Sequence, residues 1–98
     1  MRDFKASVLR AFVRYEEAVE GLEFIEDIEV GKSRWHVKML TLFKALDDGK
    51  VYGVQWRRGA TEDQENEYPG FDKIDPQAMV SCAEYQSIQV TKFEWVKV

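Results

Sequence analysis

One cysteine and one histidine, Cys82 and His36, stand in a chain of 98 residues. A lone cysteine excludes an internal disulfide and a thiolate zinc cage. Thiol chemistry at Cys82 would need an activating base, and His36 is the one imidazole to supply it. A small, buried apolar residue in a reducing compartment is the expectation for Cys82. No apolar run approaches the length that crosses a bilayer, about 20 residues. The first residues include Arg2, Asp3 and Lys5 and lack the apolar stretch of a signal peptide, so a cytoplasmic address is expected. Positive charge is outnumbered, 14 Lys and Arg against 18 Asp and Glu. A net charge of −4 argues against a general nucleic-acid binder, which needs a basic stripe. The absence of a basic amphipathic helix argues against a membrane partner.

What the chain does have is apolar bulk: 45% hydrophobic residues and 13% aromatic ones, three of them Trp. That composition is globular, and the length is that of one domain, residues 1–98, with no repeat or linker. Phe4, Val8, Phe12, Tyr15, Val19 and Leu22 recur at steps of three or four, widened by Leu9, Ala11 and Val13. The spacing predicts a helix from about Asp3, its N-cap, to about Glu20, stopped by Gly21. Lys5, Arg10 and Arg14 come early on it, and Glu16, Glu17 and Glu20 late. This is the reverse of what the helix dipole favours, and Arg14–Glu17 contacts would relieve it.

From Leu22 to Val30, Phe24, Ile28 and Val30 alternate with Glu23, Asp27 and Glu29, a strand with one acidic face. Gly31-Lys32 reads as a two-residue turn, which pairs Ile28 with Trp35, Phe24 with Met39, Glu29 with Arg34 and Asp27 with His36. Ser33 to Leu46 continues as a long strand. Asp48-Gly49 predicts the next turn, with Phe43 opposite Val54, Ala45 opposite Tyr52 and Thr41 opposite Trp56. Both turns select one apolar face: Phe24, Ile28, Trp35, Val37, Met39, Phe43, Tyr52, Val54 and Trp56. The helix is its natural cover, packing on it through Val8, Phe12 and Val19. Leu40, Leu42, Leu46 and Val51 fall on the other face, either covered by later chain or left as a binding patch.

Alternation stops between Arg57 and Pro76. Thr61 and Gln64 fit a capping box, and Tyr68, Phe71 and Ile74 are candidates to pin this long loop to the body. Gln77 to Val98 reads mostly as strand. Met79, Val80 and Cys82 suggest a short separate strand, and a change of phase between Val90 and Phe93 suggests either a bulge near Thr91 or a strand covered on both faces. The fold class expected is α+β, an N-terminal helix on one face of an antiparallel sheet of about four strands, a meander plus a C-terminal strand.

Few groups are arranged for chemistry. The expected Asp27–His36 neighbours would form an acid–imidazole pair, which a cross-strand ion pair explains without catalysis. No serine sits in a nucleophile elbow, and no glycine-rich loop follows a strand. The acids Glu62, Asp63, Glu65, Glu67, Asp72 and Asp75 lack the spacing of a calcium loop, so neither metal nor other cofactor is expected. Trp56, Arg57, Arg58 and Lys38 mix aromatic and basic groups as single-strand binders do, although Trp56 is predicted to face the core.

Arg34-Trp35, the hairpin ending Tyr52-Gly53-Val54-Gln55-Trp56, the segment from Gly59-Ala60-Thr61-Glu62 through Asp63-Gln64-Glu65-Asn66, and Val90-Thr91-Lys92-Phe93 resemble a loose group of small phage-encoded proteins of unassigned function. The resemblance covers about two thirds of the chain and leaves out the N-terminal helix. It implies a phage accessory protein acting in the host cytoplasm by binding, for example on a host enzyme, a transcription component or a CRISPR effector complex. It implies no catalytic residues. The expectation is therefore a non-enzymatic protein that binds and modulates or inhibits a host protein with a basic surface. The contact residues would be Glu16, Glu17, Glu20 and Glu23 together with Glu62, Asp63, Glu65 and Tyr68. The alternative is a small nucleotide- or nucleic-acid-handling protein using Arg57 and Arg58. Oligomeric state is left open.

Overall fold

Phe4, the first residue of the N-terminal apolar stripe, is paired in a sheet rather than wound into a helix. In a computed structural model that describes residues 1–60, 65–72, 74–89 and 93–98, the chain opens with strand β1, Arg2–Lys5. It continues into a single helical stretch, α1 over Ala6–Leu9 and then a π-helical Arg10–Arg14. Strands β2 (Leu22–Lys32), β3 (His36–Ala45), β4 (Lys50–Gly59), β5 (Met79–Gln89) and β6 (Phe93–Lys97) follow. The fold is α+β, a short N-terminal helix on an antiparallel sheet. That sheet has six strands rather than about four.

The expected helix from Asp3 to Glu20 is thus cut at both ends. At its start, Phe4 pairs with Val80 in β5 and lies buried. A residue that must be buried satisfies a helical stripe and a strand equally well, and only the partner strand decides between them. At its end, Glu16 takes a positive φ of 52°. The Tyr15 N–H bonds to Arg10 O and the Glu17 N–H to Ala11 O, closing the helix in a widened turn. The buried face is Ala6, Leu9, Phe12 and Val13, while Val8 is half-buried and Tyr15 exposed.

The sheet order is β1-β5-β4-β3-β2. Tyr85 in β5 pairs with Val51 of β4 on one side and Lys97 of β6 on the other. β6 therefore shares with β1 the β5 edge that faces away from β4. Met79, Val80 and Cys82, expected in a short separate strand, belong to β5 itself, and β6 is a further strand where one continuing past Thr91 was expected. The proposed bulge at Thr91 lies outside the described residues.

Both hairpins exist, and both differ in register from the sequence expectation. Between β3 and β4, Phe43 pairs with Tyr52, Thr41 with Val54 and Ala45 with Lys50. The loop is four residues, Leu46 to Gly49. Asp48 Oδ1 accepts the Lys50 N–H, and the Gly49 N–H reaches Ala45 O at a φ of 71°. Two extra loop residues slide the register by two, which preserves every face. Gly31-Lys32 is not a turn. Both residues stay in β2, paired with Lys38 and Val37, and Ser33 closes the turn by exchanging hydrogen bonds with His36. Bulges between Phe24 and Glu26 and between Glu29 and Gly31 shift the pairing, so Ile28 faces Leu40, Glu29 faces Met39 and Asp27 faces Thr41.

The core lies between the helix and one face of the sheet. Phe43, with no exposed surface, meets Phe4 and Phe12 edge-on at centroid distances of 5.2 and 5.7 Å. Leu9, Tyr52, Val54, Phe71 and Cys82 complete it. Trp35 and Phe24, both assigned to this face from sequence, are 52% and 55% exposed. Trp35 sits in the turn, and Phe24 at the sheet edge beyond the reach of the short helix. On the other face Leu40 and Leu42 are buried rather than free to bind, and Leu46 is exposed. Gly53 leaves room there: a methyl at its position would lie 2.6 Å from Tyr85 Cε1 and 2.9 Å from Leu40 Cδ1. The Tyr85 ring thus lies across the bare glycine beside Leu40.

β4 runs on to Gly59, past the point where alternation was expected to stop. The loop beyond it is pinned by Tyr68 and Phe71, both buried, but not by Ile74, which is exposed. The helix's basic residues complete the attachment. Arg10 Nη2 donates to the carbonyl oxygens of Phe71, Asp72 and Ile74, and Arg14 pairs with Asp72 rather than with Glu17. The reversed charge order expected on the helix disappears with its last turns: Glu16, Glu17 and Glu20 lie beyond its end at Arg14, and its cations hold the loop. Thr61 and Gln64 lie outside the described residues.

Candidate functional site

The early end of the helix at Glu16 opens a space between the chain's return and the start of β2. A cavity of ≈ 530 Å³ lies there. Its apolar walls are Phe12, Val13, Ala18, Leu22 and Phe24, and Glu16, Glu17 and Glu23 stand around it. Asp27 and Thr41 line it as well. Thr41 is almost fully buried. Its hydroxyl donates to Asp27 Oδ1 at 2.5 Å and accepts the Trp56 indole N–H at 2.8 Å. Asp27 is thereby committed to a hydrogen-bonded chain, which holds the floor and spares a buried hydroxyl from standing unpaired. The rim carboxylates are exposed. Glu16 holds its place in the left-handed region, where a non-glycine residue is strained by roughly 1–2 kcal/mol, and such strain collects at functional turns.

Of the sequence-selected acids, Glu16, Glu17 and Glu23 are brought together at this cavity, and Glu20 is exposed on the turn outside its lining. Phe12, Leu22 and Phe24 are the residues that sequence missed as part of a site. Their spacing was read as core, and the cavity exists only because the helix stops early.

A second cavity of ≈ 480 Å³ is polar and lies beside the long loop. His36, Arg57, Glu65, Glu67 and Tyr68 are among its residues, together with Arg14 and Asp72. The expected Asp27–His36 pair does not form, because the turn falls at Ser33–His36 rather than at Gly31-Lys32; the bulge after Glu29 then sets Asp27 opposite Thr41. His36 Nε2 lies 3.1 Å from Glu67 Oε1 and 3.2 Å from Glu65 O. Both neighbours are acceptors, so Nε2 carries the proton. Arg57 Nη2 is 2.6 Å from Glu67 Oε2. Three carboxylates, Glu65, Glu67 and Asp72, outnumber Arg14 and Arg57 around this space. Arg58 faces Glu29 at 4.0 Å. The concave basic pocket that a phosphate-handling protein needs is not formed among the described residues. Trp56 is stacked on Tyr68 with centroids 5.3 Å apart and is not free to stack on a base. Tyr68, named among the expected contact residues, is itself a core residue. Glu62 and Asp63 lie outside the described residues.

The chain matches no family model, no curated protein and no solved structure. Among the described residues no group of three or more His, Cys, Asp or Glu side chains is set to hold a metal ion. No helix among them is long and apolar enough to cross a membrane. Cys82 is buried, and burial pushes its thiol up to about 12. A thiolate nucleophile is disfavoured there.

Proposed function

We propose that this protein is a non-enzymatic binding protein of the phage accessory type, which modulates a host protein by holding a basic part of its surface. One observation carries the proposal: an apolar cavity rimmed by Glu16, Glu17 and Glu23, with Phe24 exposed at its mouth. Apolar walls supply burial, and the acids select cations and steer them in. The modest net charge of −4 becomes a local field when this many carboxylates share one side. No comparable support favours nucleotide or nucleic-acid handling, since Arg57 and Arg58 each face a carboxylate.

The test is a partner captured from bacterial lysate and identified by mass spectrometry, followed by association kinetics at low and high salt. Reversing Glu16, Glu17 and Glu23 to Lys should slow association about tenfold or more at low salt and flatten its salt dependence. His36→Ala and Cys82→Ser should leave binding intact when the fold survives. An unchanged association rate, together with loss of turnover of a small substrate in His36→Ala, would replace the proposal with an enzyme.

A further inference from the structure

The cavity opens against a strand whose other side has no partner. β2 is an outer strand of 11 residues, paired with β3 alone among the described residues. Its outward N–H and C=O groups form a ready template for another strand. Leu22, Glu23 and Phe24 belong to both the cavity and this edge. We propose that cavity and edge are one docking surface, on which a basic, extended segment of the partner protein adds to β2 as a strand and lowers an apolar side chain onto Phe12 and Phe24. This deepens the partner-binding function proposed above and rests on it.

Charge decides the occupant. Glu23, Glu26, Asp27 and Glu29 all lie on β2, and its only cation is Lys32. A second copy pairing edge to edge would set acid against acid, which opposes self-association. A segment alternating Arg or Lys with apolar residues sets its cations on the face of Glu23 and Glu26 and its apolar side chains on the face of Phe24. The two bulges divide the pairing with β3 into three short registers, Leu22–Phe24, Glu26–Glu29 and Gly31–Lys32, so the added strand is short. Bulges and charges also guard an edge against aggregation. Guarding alone, however, does not call for an apolar cavity beside the edge or for Phe24 left 55% exposed at its mouth.

The probe is a synthetic peptide of about ten residues alternating arginine with valine around a central leucine. Two matched peptides carry N-methyl groups on alternate backbone amides, one in each phase. Saturable binding is expected, with amide shifts concentrated from Leu22 to Glu29 and around Phe12, and slowed hydrogen exchange at the outward amides of β2. N-methylation in the pairing phase should weaken binding about tenfold or more, because it removes main-chain hydrogen bonds and leaves the side chains alone. Phe24→Ala, at an exposed position that leaves the fold intact, should weaken it several-fold. Equal affinity of both methylated peptides overturns strand addition and leaves the acid-rimmed site standing. Binding of neither peptide, with the captured partner indifferent to Glu23→Lys, overturns both. A concentration-dependent dimer abolished by Phe24→Ala assigns the edge to a second copy and overturns the basic-partner inference.

Discussion

The Phe4 ring stands edge-on to Phe43, with centroids 5.2 Å apart and planes at 77°. Residue 4 is thus held against the end of β3 through a strand pairing with β5, and a second edge-on contact, with Tyr52 at 5.4 Å, ties the first and fifth strands to β4. Phe43 is fully buried and also touches Phe12 and Tyr52. Phe43→Ala should therefore destabilise the protein by about 3–5 kcal/mol, enough to unfold a marginal domain. Glu29→Ala, whose partner Arg58 is 4.0 Å away at the surface, should cost less than about 1 kcal/mol. Urea unfolding measures both, and equal losses would place the core elsewhere.

Acid should weaken the β3–β4 hairpin. Asp48 is held below its ordinary value of 3.8, chiefly by the Tyr52 hydroxyl and then by the Lys50 N–H and Arg2. Arg2 likewise lowers Asp47. Carboxylates depressed in the folded state contribute stability above their unfolded value, and lose it as pH falls through the folded one. The denaturation midpoint should hold near neutrality and drop below about pH 4. Asp48→Asn should lower the plateau and flatten that drop. An acid limb that is unchanged in the variant would show that the hairpin carboxylate is not linked to folding.

Cys82 should be inert in the folded protein. Its side chain is buried, and its thiol is raised to about 12 by burial, so little thiolate exists at pH 8. Ellman's reagent should react only as fast as the chain opens, and at once in denaturant. Immediate reaction of the native protein would mean that the β1–β5 pairing around Cys82 opens readily.

Gly53→Ala should destabilise by roughly 1–3 kcal/mol, the cost of overpacking. The new methyl would stand 2.6 Å from the Tyr85 ring and 2.9 Å from Leu40. In a double-mutant cycle with Tyr85→Ala, much of that loss should disappear. Additive losses would show that the ring does not cover Gly53.

Sequence alone determined the alternation of β3 and β4, the existence of two hairpins, and the apolar face built on Phe43, Tyr52 and Val54. These follow from local periodicity and turn chemistry, which neighbouring residues carry by themselves. The β3–β4 register slipped by two without changing a face, because the side-chain period of a strand is also two. The fate of Phe4 was not legible, since burial against a helix layer and burial in a strand demand the same residue; the distant β5 chose the strand. The bulges in β2 were not legible either. The turn at Ser33–His36 took Asp27 away from His36, the bulge after Glu29 set it opposite Thr41, and no local signal marks an extra residue in an otherwise regular strand. At the candidate site, sequence supplied the acids Glu16, Glu17 and Glu23, because charge is visible residue by residue. The cavity between them was decided by tertiary structure alone: the helix ends at Arg14, Glu16 turns the chain back, and Phe12 and Phe24 are left facing a space that no other part of the described chain fills.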